Sequence, residues 1–257
     1  MKNKILTFLS AKGGVGKSQI VANFAQILAD AGYTVAVLEV PNFNNQEIIL
    51  NAKIDKNQIF VFANSQAKGL KILPNLTLIA PNDGVFLSED GAIESFLGAT
   101  LGADMFDFIL IDASLDYAKK LVEFDTEPIV VCANEPCAIS NTYAFLKSLN
   151  LPQKEILFLM NFASCEDEAV GIFDNLKSVA QKNLGEVKFG LVGFMPYDKY
   201  VFINAQNREL FSISRPFCKA SIALRDSVSR TLVALGLEAL PKRGAFGGFL
   251  GKLSNLI

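Results

Sequence analysis

Short apolar runs alternate along the chain with segments in which apolar residues recur every three or four positions. The first pattern predicts buried strands and the second predicts amphipathic helices. Seven strands are predicted, at Ile5–Ser10, Thr34–Val40, Leu76–Ala80, Phe106–Asp112, Pro128–Ala133, Glu155–Asn161 and Lys188–Phe194. Five helices are predicted, at Gln19–Ala31, Ile139–Leu149, Glu166–Leu184, Lys199–Leu210 and Lys219–Leu237. This alternation is typical of an α/β fold in which helices cover both faces of a mostly parallel sheet.

The chain is predicted to form one domain over residues 1–240, followed by a tail at residues 241–257. Its 257 residues suit one large α/β domain, and 51% hydrophobic residues are enough for a core on both faces of a sheet. The tail begins at Pro241, where proline, basic residues and glycine interrupt the helical pattern. Residues 44–67 contain Asn- and Gln-rich patches without a dependable period, so no element is predicted there.

Composition excludes several classes of function. The chain contains no histidine, which excludes histidine-based catalysis and histidine metal ligands. Its 24 basic and 26 acidic residues give a net charge of −2, which does not favour a nucleic-acid partner. The four cysteines lack C-x-x-C spacing and are expected to be buried free thiols, with an iron–sulfur or zinc site as the alternative. No signal peptide or transmembrane segment is predicted, so we expect a cytosolic or peripheral protein.

A glycine-rich segment lies between the first predicted strand and the first predicted helix. Its glycines let the backbone approach a phosphate, and its N–H groups and the helix N-terminus favour negative charge. Lys17 would reach the phosphates, and the Ser18 hydroxyl would be a ligand of Mg²⁺. The predicted cofactor-binding residues of the loop are Lys12, Gly13, Gly14, Val15, Gly16, Lys17, Ser18 and Gln19. The segment predicts a nucleoside-triphosphate site, and the alternative is a glycine-rich turn that binds nothing.

The loop departs from the ordinary phosphate-binding pattern at its start. Ala11 stands where the first glycine is usual, and Lys12 is a second lysine. This form resembles the deviant P-loop of the MinD/ParA family of dimerising ATPases. The resemblance implies that Lys12 crosses a dimer interface to the partner's nucleotide, that ATP and Mg²⁺ are the cofactors, and that Lys12 and Lys17 act in catalysis. The alternative for Lys12 is a solvated lysine on a loop.

Weaker matches follow the loop in the order that the family has them. By this resemblance Asp112 holds Mg²⁺ through water, and the Asn161 amide reads the adenine ring. Pro196 and Tyr197 belong to the segment that resembles the loop closing over the base. Residues 135–144 are most similar to the FlhG branch, whose members regulate flagellar number. The resemblance therefore covers nearly the whole chain.

Two departures from the family lie where hydrolysis would occur. Glu39 replaces the first acid of an Asp-x-Asp pair, which leaves its catalytic role in question, and Pro41 replaces the second. Because proline has neither a carboxylate nor an N–H, it cannot orient the attacking water. Asp116 replaces a glycine near the γ-phosphate. We therefore expect slow or absent ATP turnover. A shifted loop is the alternative, with the missing group supplied by Asp83, Asp90, Asn42 or Asn44.

The tail has a helical apolar stripe. Five large side chains fall on one face, namely Phe246, Phe249, Leu250, Leu253 and Ile257. Lys242 and Arg243 precede the stripe and Lys252 lies off it, a pattern typical of a segment lying in an anionic lipid surface. The alternative is a terminal helix docked on its own domain.

Together these patterns favour an FlhG/MinD-like protein that dimerises with ATP and associates reversibly with the inner membrane at its cytoplasmic face. The resemblance implies control of the placement or number of a cellular machine, with flagella as the best candidate. Expected partners are a second copy, anionic lipid bound by the tail, and a flagellar GTPase or switch-complex protein, without nucleic acid. One alternative is an ATP- or ADP-binding scaffold with little turnover. The other is a ParA-like DNA partitioning ATPase, for which the chain lacks a basic patch.

Overall fold

A computed structural model describes residues 3–40, 44–51, 59–62, 67–81, 98, 105–124, 126–149, 155–184 and 187–241. Within these residues, nine strands form one sheet. The strands are β1 Lys4–Leu9, β2 Val35–Val40, β3 Ile59–Phe62, β4 Ala67–Leu73, β5 Leu76–Pro81, β6 Phe108–Ala113, β7 Glu127–Ala133, β8 Ile156–Asn161 and β9 Phe189–Met195. Their order across the sheet is β3-β4-β5-β2-β6-β1-β7-β8-β9. All pairings are parallel except those of β4 with β3 and β5, which are antiparallel.

Helices connect the parallel strands. In the described part of the chain they are α1 Lys17–Asp30, α2 Asn44–Ile49, α3 Leu115–Glu123, α4 Pro136–Ser148, α5 Glu166–Leu184, α6 Lys199–Asn207, α7 Phe211–Ser214 and α8 Lys219–Ala234. No helix among these residues is both long enough and apolar enough to cross a bilayer. The α/β fold with a mostly parallel sheet is therefore confirmed.

Side chains on alternate positions of the central strands supply two cores. In β1, Leu6 and Phe8 face one core, which α1 and α8 cover, whereas Leu9 faces the other core. The rings of Phe8 and Phe24 meet edge to face, with centroids 5.3 Å apart. The second core lies under α3, α4 and α5, where Phe158 of β8 packs on Phe173. Burial on both faces explains why these strands are almost continuously apolar.

The predicted strands each match a parallel strand to within two residues, but five elements were not predicted. β3 and β4 form an antiparallel edge, and α2, α3 and α7 are short. The predicted helix Lys199–Leu210 is wrong at its end, because Arg208 adopts a left-handed φ of 56° and α6 stops at Asn207. The predicted helix Lys219–Leu237 likewise ends early, at Ala234, two residues before the positive φ of Gly236.

The parallel order brings several strand ends to one edge of the sheet. Phe8 in β1 and Glu39 in β2 both pair in register with Asp112 in β6. Asn161 in β8 pairs with Met195 in β9. Because ligands of open α/β sheets bind outside the carboxyl ends of the strands, this edge is the expected place for a site.

Candidate functional site

The glycine-rich loop, residues 10–18, joins the end of β1 to the start of α1 at this edge. It lines a cavity of about 550 Å³ together with Gln19, Asn45, Ile49 and residues 113–115. Gly14 and Gly16 have φ values of +80° and +83°, a backbone conformation that glycine adopts without a steric penalty. Gly16 is also the residue before the first turn of α1. The loop thus presents its backbone and the N-terminus of a 14-residue helix to the cavity.

Lys17, which lines the cavity, forms an ion pair with Asp112 near the end of β6. The Lys17 side chain is 14% exposed and that of Asp112 only 2%. A carboxylate buried to this extent requires a charged or hydrogen-bonding partner. In this state the lysine predicted to bind phosphate neutralises the carboxylate predicted to hold Mg²⁺. The structure therefore brings Lys17, Ser18 and Asp112 together, as the sequence predicts.

Gln46 of α2 links the loop to the acidic strand ends. Its side-chain amide donates hydrogen bonds to Asp112 Oδ2 at 2.7 Å and to the Ser18 carbonyl at 3.0 Å. The residue is completely buried. Sequence reasoning missed it, because it lies in the stretch without a period. Its signal is a run of three amide residues a few positions after the acidic end of β2.

Glu39 holds α2 with both oxygens of its carboxylate. It accepts hydrogen bonds from the Gln46 backbone N–H at 2.8 Å and from Asn45 Nδ2 at 2.7 Å. Burial raises the pKa of the Glu39 carboxyl, the two hydrogen bonds oppose this effect, and the nearby Asp112 adds to it, so that the pKa is raised overall. The contacts assign Glu39 to positioning α2, and its catalytic role stays a prediction.

Lys12 forms a second ion pair, with Glu135 at the start of α4. The two side chains are 37% and 47% exposed, so the pair lies at the surface of the site. The hydrogen bond to Glu135 raises the pKa of the Lys12 ammonium, and partial burial opposes the increase. From the sequence, Glu135 contributes only to the resemblance of residues 135–144, and its contact with Lys12 is not predicted. In this structure Lys12 is bound within its own chain.

Asn161, the last residue of β8, supports the glycine-rich loop. Its Nδ2 donates to the Val15 carbonyl at 2.7 Å, and its Oδ1 accepts from the Phe162 N–H at 2.9 Å. A Cβ at Gly16 would lie 2.5 Å from the same Nδ2 atom, so the amide also explains why residue 16 has no side chain. Asn161 is fully buried, and contact with an adenine ring stays a prediction.

Pro196 and Tyr197 follow β9 beside Asn161. Pro196 is buried, whereas Tyr197 is 66% exposed and its ring centroid lies 5.3 Å from that of Phe202 in α6. Asp198 then caps α6 by accepting the Tyr200 N–H at 3.0 Å, and it also accepts the Ala220 N–H of α8 at 3.2 Å. The hydrogen bonds of Asp198 therefore fix the end of this segment, whereas the ring of Tyr197 is exposed beside Phe202. Binding of a base by Pro196 and Tyr197 stays a prediction.

The structure describes only some of the residues that bear on hydrolysis. Pro41, Asn42, Asp83 and Asp90 lie outside the described residues, and of Asn44 only the backbone is described. Asp116 is exposed in the first turn of α3 and lines a neighbouring groove of about 500 Å³ with Ala11 and Asn141. It is not among the residues that line the loop cavity. The position of Asp116 therefore gives no support to a contact with a phosphate bound in the loop cavity.

Unpaired polar atoms test whether the cavity suits a metal–nucleotide complex. In the described part of the chain, four buried side-chain atoms lack a hydrogen-bond partner, and three belong to this site: Gln19 Oε1, Gln46 Oε1 and Ser114 Oγ. Such atoms cost free energy unless a ligand or water pairs with them. Oxygen atoms are the ligands or water acceptors that Mg²⁺ requires. The residues present therefore fit a phosphate group accompanied by Mg²⁺.

All four cysteines are free thiols. Cys132 is buried, Cys218 is half-buried, and Cys137 and Cys165 are exposed, so the expected burial holds for only part of the set. Among the described residues no group of three or more cysteine and acidic side chains is arranged to hold a metal ion.

Comparison with protein families gives one matching model. Residues 6–211 match the CobQ/CobB/MinD/ParA nucleotide-binding domain. The match begins in β1 and includes the glycine-rich loop, Asp112 and Asn161. The resemblance stated from the sequence is confirmed by this match.

Two curated relatives align over nearly the whole chain. The flagellum site-determining protein YlxH of Helicobacter pylori is 26% identical, over 94% of this chain and 86% of the relative. The antiactivator FleN of Pseudomonas aeruginosa is also 26% identical, over 97% of this chain and 93% of the relative.

Solved structures with the same fold include two MinD proteins. The MinD cell division protein of Aquifex aeolicus superposes with a TM-score of 0.67 at 18% identity, covering 94% of this chain and 100% of the other. The septum site-determining protein MinD of Pyrococcus horikoshii, complexed with Mg-ADP, gives a TM-score of 0.63 at 18% identity, covering 91% and 98%. At this level of identity the comparisons establish the fold alone.

Proposed function

Because the chain belongs to the CobQ/CobB/MinD/ParA family of nucleotide-binding domains, we propose that it binds ATP with Mg²⁺, dimerises in that state and regulates the number or placement of flagella. The observation that carries the proposal is the cavity of the glycine-rich loop. It is lined by the N-terminus of α1 and by Lys17, which pairs with Asp112. Two of the unpaired polar atoms, Gln19 Oε1 and Ser114 Oγ, belong to residues that line it.

Binding of the nucleotide rests on groups that the structure already brings together. The loop N–H groups and Lys17 would hold the phosphates, while Ser18 and Asp112 would hold Mg²⁺. Bound Mg²⁺ supplies positive charge that offsets the charge of the phosphates. For Lys17 to reach a phosphate, it must leave Asp112. The site therefore exchanges an internal ion pair for contacts with the ligand.

Dimerisation rests on Lys12 and its exposed position. A lysine that reaches a phosphate of a second copy would make nucleotide binding a reason to associate. In the single chain Lys12 is bound to Glu135, so association requires a change of partner. The partly exposed pair costs little to break, because exposed ion pairs contribute little to stability.

The flagellar role rests on the relatives. Both curated relatives carry flagellar or antiactivator names and align over at least 86% of their own lengths. A flagellar GTPase or a switch-complex protein is the protein partner that we propose on this ground. The net charge of −2 gives no support to DNA binding, so a ParA-like partitioning role is not favoured.

Membrane association rests on the tail, of which residues 242–257 lie outside the described residues. Its apolar stripe and flanking basic residues suit the headgroup region of an anionic bilayer. One short segment binds weakly, and two segments on a dimer bind with higher avidity. ATP-dependent dimerisation would therefore also control residence at the cytoplasmic face of the inner membrane.

A scaffold that binds ATP or ADP with little turnover is the second candidate. The observation in its favour is that both oxygens of Glu39 are bound to α2, while Pro41 supplies no carboxylate. Phosphoryl transfer depends on a group that orients the attacking water, and loss of that group lowers the rate more than the affinity.

Sedimentation of the full chain with ATP and Mg²⁺, with ADP, and without nucleotide tests the proposal. Of these three conditions, we expect only ATP with Mg²⁺ to produce a dimer. Lys12→Ala should not form this dimer, although each chain should still bind nucleotide. A single species under all three conditions would contradict ATP-dependent dimerisation. A phosphate-release assay on the same samples separates an ATPase from a scaffold.

A further inference from the structure

Gln46 connects three parts of the site that lie far apart in the sequence. Its amide group bonds the Ser18 carbonyl of the loop and the Asp112 carboxylate of β6. Its backbone N–H bonds the Glu39 carboxylate of β2. All three contacts are 3.0 Å or shorter, and the side chain has no exposed surface.

The orientation of this amide follows from its partners. Both side-chain contacts go to oxygen acceptors, so both must be made by the amino group, which carries the two hydrogens of the amide. The carbonyl oxygen, Oε1, is therefore left free of both contacts and has no partner in the described residues. A rotation that paired Oε1 elsewhere would break two hydrogen bonds.

Lys17 and Gln46 bond different oxygens of the Asp112 carboxylate. Lys17 contacts Oδ1 and Gln46 contacts Oδ2, so the two partners do not compete. Transfer of Lys17 to a phosphate would remove only the first contact. The amide would then still hold the carboxylate through Oδ2.

We propose that Gln46 is a positioning residue for Mg²⁺, which orients Asp112 through its amino group and accepts a hydrogen bond from a metal-bound water at Oε1. The inference rests on the proposed binding of Mg²⁺ and ATP. It assigns a role in metal binding to α2. The arrival of the metal is thereby linked to α2 and, through the same residue, to Glu39.

The affinity of a fluorescent ATP analogue, measured in Mg²⁺ and in EDTA, tests this assignment. In EDTA, we expect Gln46→Leu to bind the analogue with an affinity within about twofold of that of the unmodified protein. The factor by which Mg²⁺ raises the affinity should be about tenfold smaller in Gln46→Leu than in the unmodified protein. Thr142→Val is the matched control. It removes a buried hydrogen bond, from Thr142 Oγ1 to the Ala138 carbonyl at 2.7 Å in α4, and should keep the full Mg²⁺ effect.

A second variant keeps the test decisive if Gln46→Leu does not fold. Gln46→Glu retains an acceptor but places a carboxylate next to Asp112 and Glu39, so it should be destabilised without metal. We expect Mg²⁺ with ADP to raise its thermal midpoint more than that of the unmodified protein. An equal or smaller rise would overturn the inference.

The remaining outcomes separate this inference from the proposed function. If the unmodified protein binds no nucleotide at all, the proposed function fails. If it binds nucleotide and Gln46→Leu shows the same gain from Mg²⁺, only the role of Gln46 is overturned. Binding by the unmodified protein that is indifferent to Mg²⁺ likewise overturns the role of Gln46 and leaves nucleotide binding intact.

Discussion

Lys12 and Glu135 lie 123 positions apart in the chain and form an ion pair at the surface of the site. By the family resemblance, Lys12 would contact the nucleotide of a second copy. In this structure it is bound to Glu135, the residue that precedes α4. In the proposed dimer, its release would be part of the cost of association, and a change at Glu135 would alter this cost without touching the nucleotide.

Removing the charge of Glu135 should therefore favour the dimer. In Glu135→Gln we expect the ATP-bound chain to associate up to about fivefold more tightly, because an exposed ion pair of this kind is weak. Sedimentation velocity over a range of protein concentrations, with a non-hydrolysable ATP analogue, measures the change. Glu123→Gln in α3 removes the same charge from an exposed position and should have no effect. Weaker association of Glu135→Gln would indicate that Glu135 contacts the partner directly.

Lys17→Ala should weaken ATP binding by an order of magnitude or more. The substitution removes the cation that would face the phosphates, and charge-assisted hydrogen bonds contribute roughly 1.5–3 kcal/mol each. Titration with a fluorescent ATP analogue measures the affinity. Lys147→Ala, in the last turn of α4, serves as the charge-matched control. Equal affinities for unmodified protein and Lys17→Ala would refute the site assignment.

ATP turnover should be slow enough to look absent in a routine assay. The expectation rests on Pro41, which provides no water-orienting carboxylate, and on the occupied oxygens of Glu39. Continuous measurement of released phosphate from the purified full chain tests it. Pro41→Asp combined with Glu39→Asp restores the usual pair of acids and should raise the rate. Brisk turnover by the unmodified protein would mean that another group orients the water.

Asp198 should make the domain sensitive to acid. Burial raises the pKa of the Asp198 carboxyl, but hydrogen bonds from Tyr200, Ala220, Cys218 and Lys219 outweigh it, so the pKa is lowered from 3.8 overall. The carboxylate therefore stabilises the fold above pH 3.8, and this contribution is lost as the pH falls below 3.8 through the folded-state pKa.

We expect Asp198→Asn to lower the free energy of unfolding at pH 7 by about 0.5–1.5 kcal/mol, because an amide has one acceptor oxygen and cannot accept both the Tyr200 and the Ala220 N–H. The difference from the unmodified protein should shrink below pH 3.8. Urea unfolding at several pH values measures both effects, with the exposed Asp226→Asn of α8 as the control. A difference that does not change with pH would rule out the carboxylate as its source.

The tail should confer binding to anionic liposomes when ATP is present. A chain ending at Lys242 should lose this binding, and salt should weaken it in the full chain, because basic residues near a lipid surface contribute about 1 kcal/mol each. Co-sedimentation with and without ATP measures it. If truncation leaves liposome binding unchanged and lowers the thermal midpoint, the tail is a docked helix.

The central strands and the glycine-rich loop could be predicted because local rules determine them. Runs such as residues 108–111 are apolar on both faces, and the glycines and lysines of the loop occur in an order that few other structures require. The antiparallel edge could not be predicted in this way. β4 contains Gly69 and two lysines and has no strong strand pattern, so its place is set by pairing with β5.

The contacts between residues of the site were harder to predict than the identity of those residues. Lys17 and Asp112 were both expected, but their direct pairing was not, since both were assigned to an absent ligand. Gln46 was missed because amide residues also occur in surface loops. Only the fold places it between Ser18 and Asp112. Such contacts depend on the order of strands in the sheet, which spacing in the sequence does not reveal.

The central position of β1 has a consequence for synthesis on the ribosome. β1 pairs with β6 and β7, and its loop is held by Asn161 at the end of β8. β1 therefore leaves the ribosome about 100 residues before the first of its two neighbours. The loop also lacks its support until Asn161 has been made. Any binding of nucleotide by this loop would therefore arise late in synthesis of the domain.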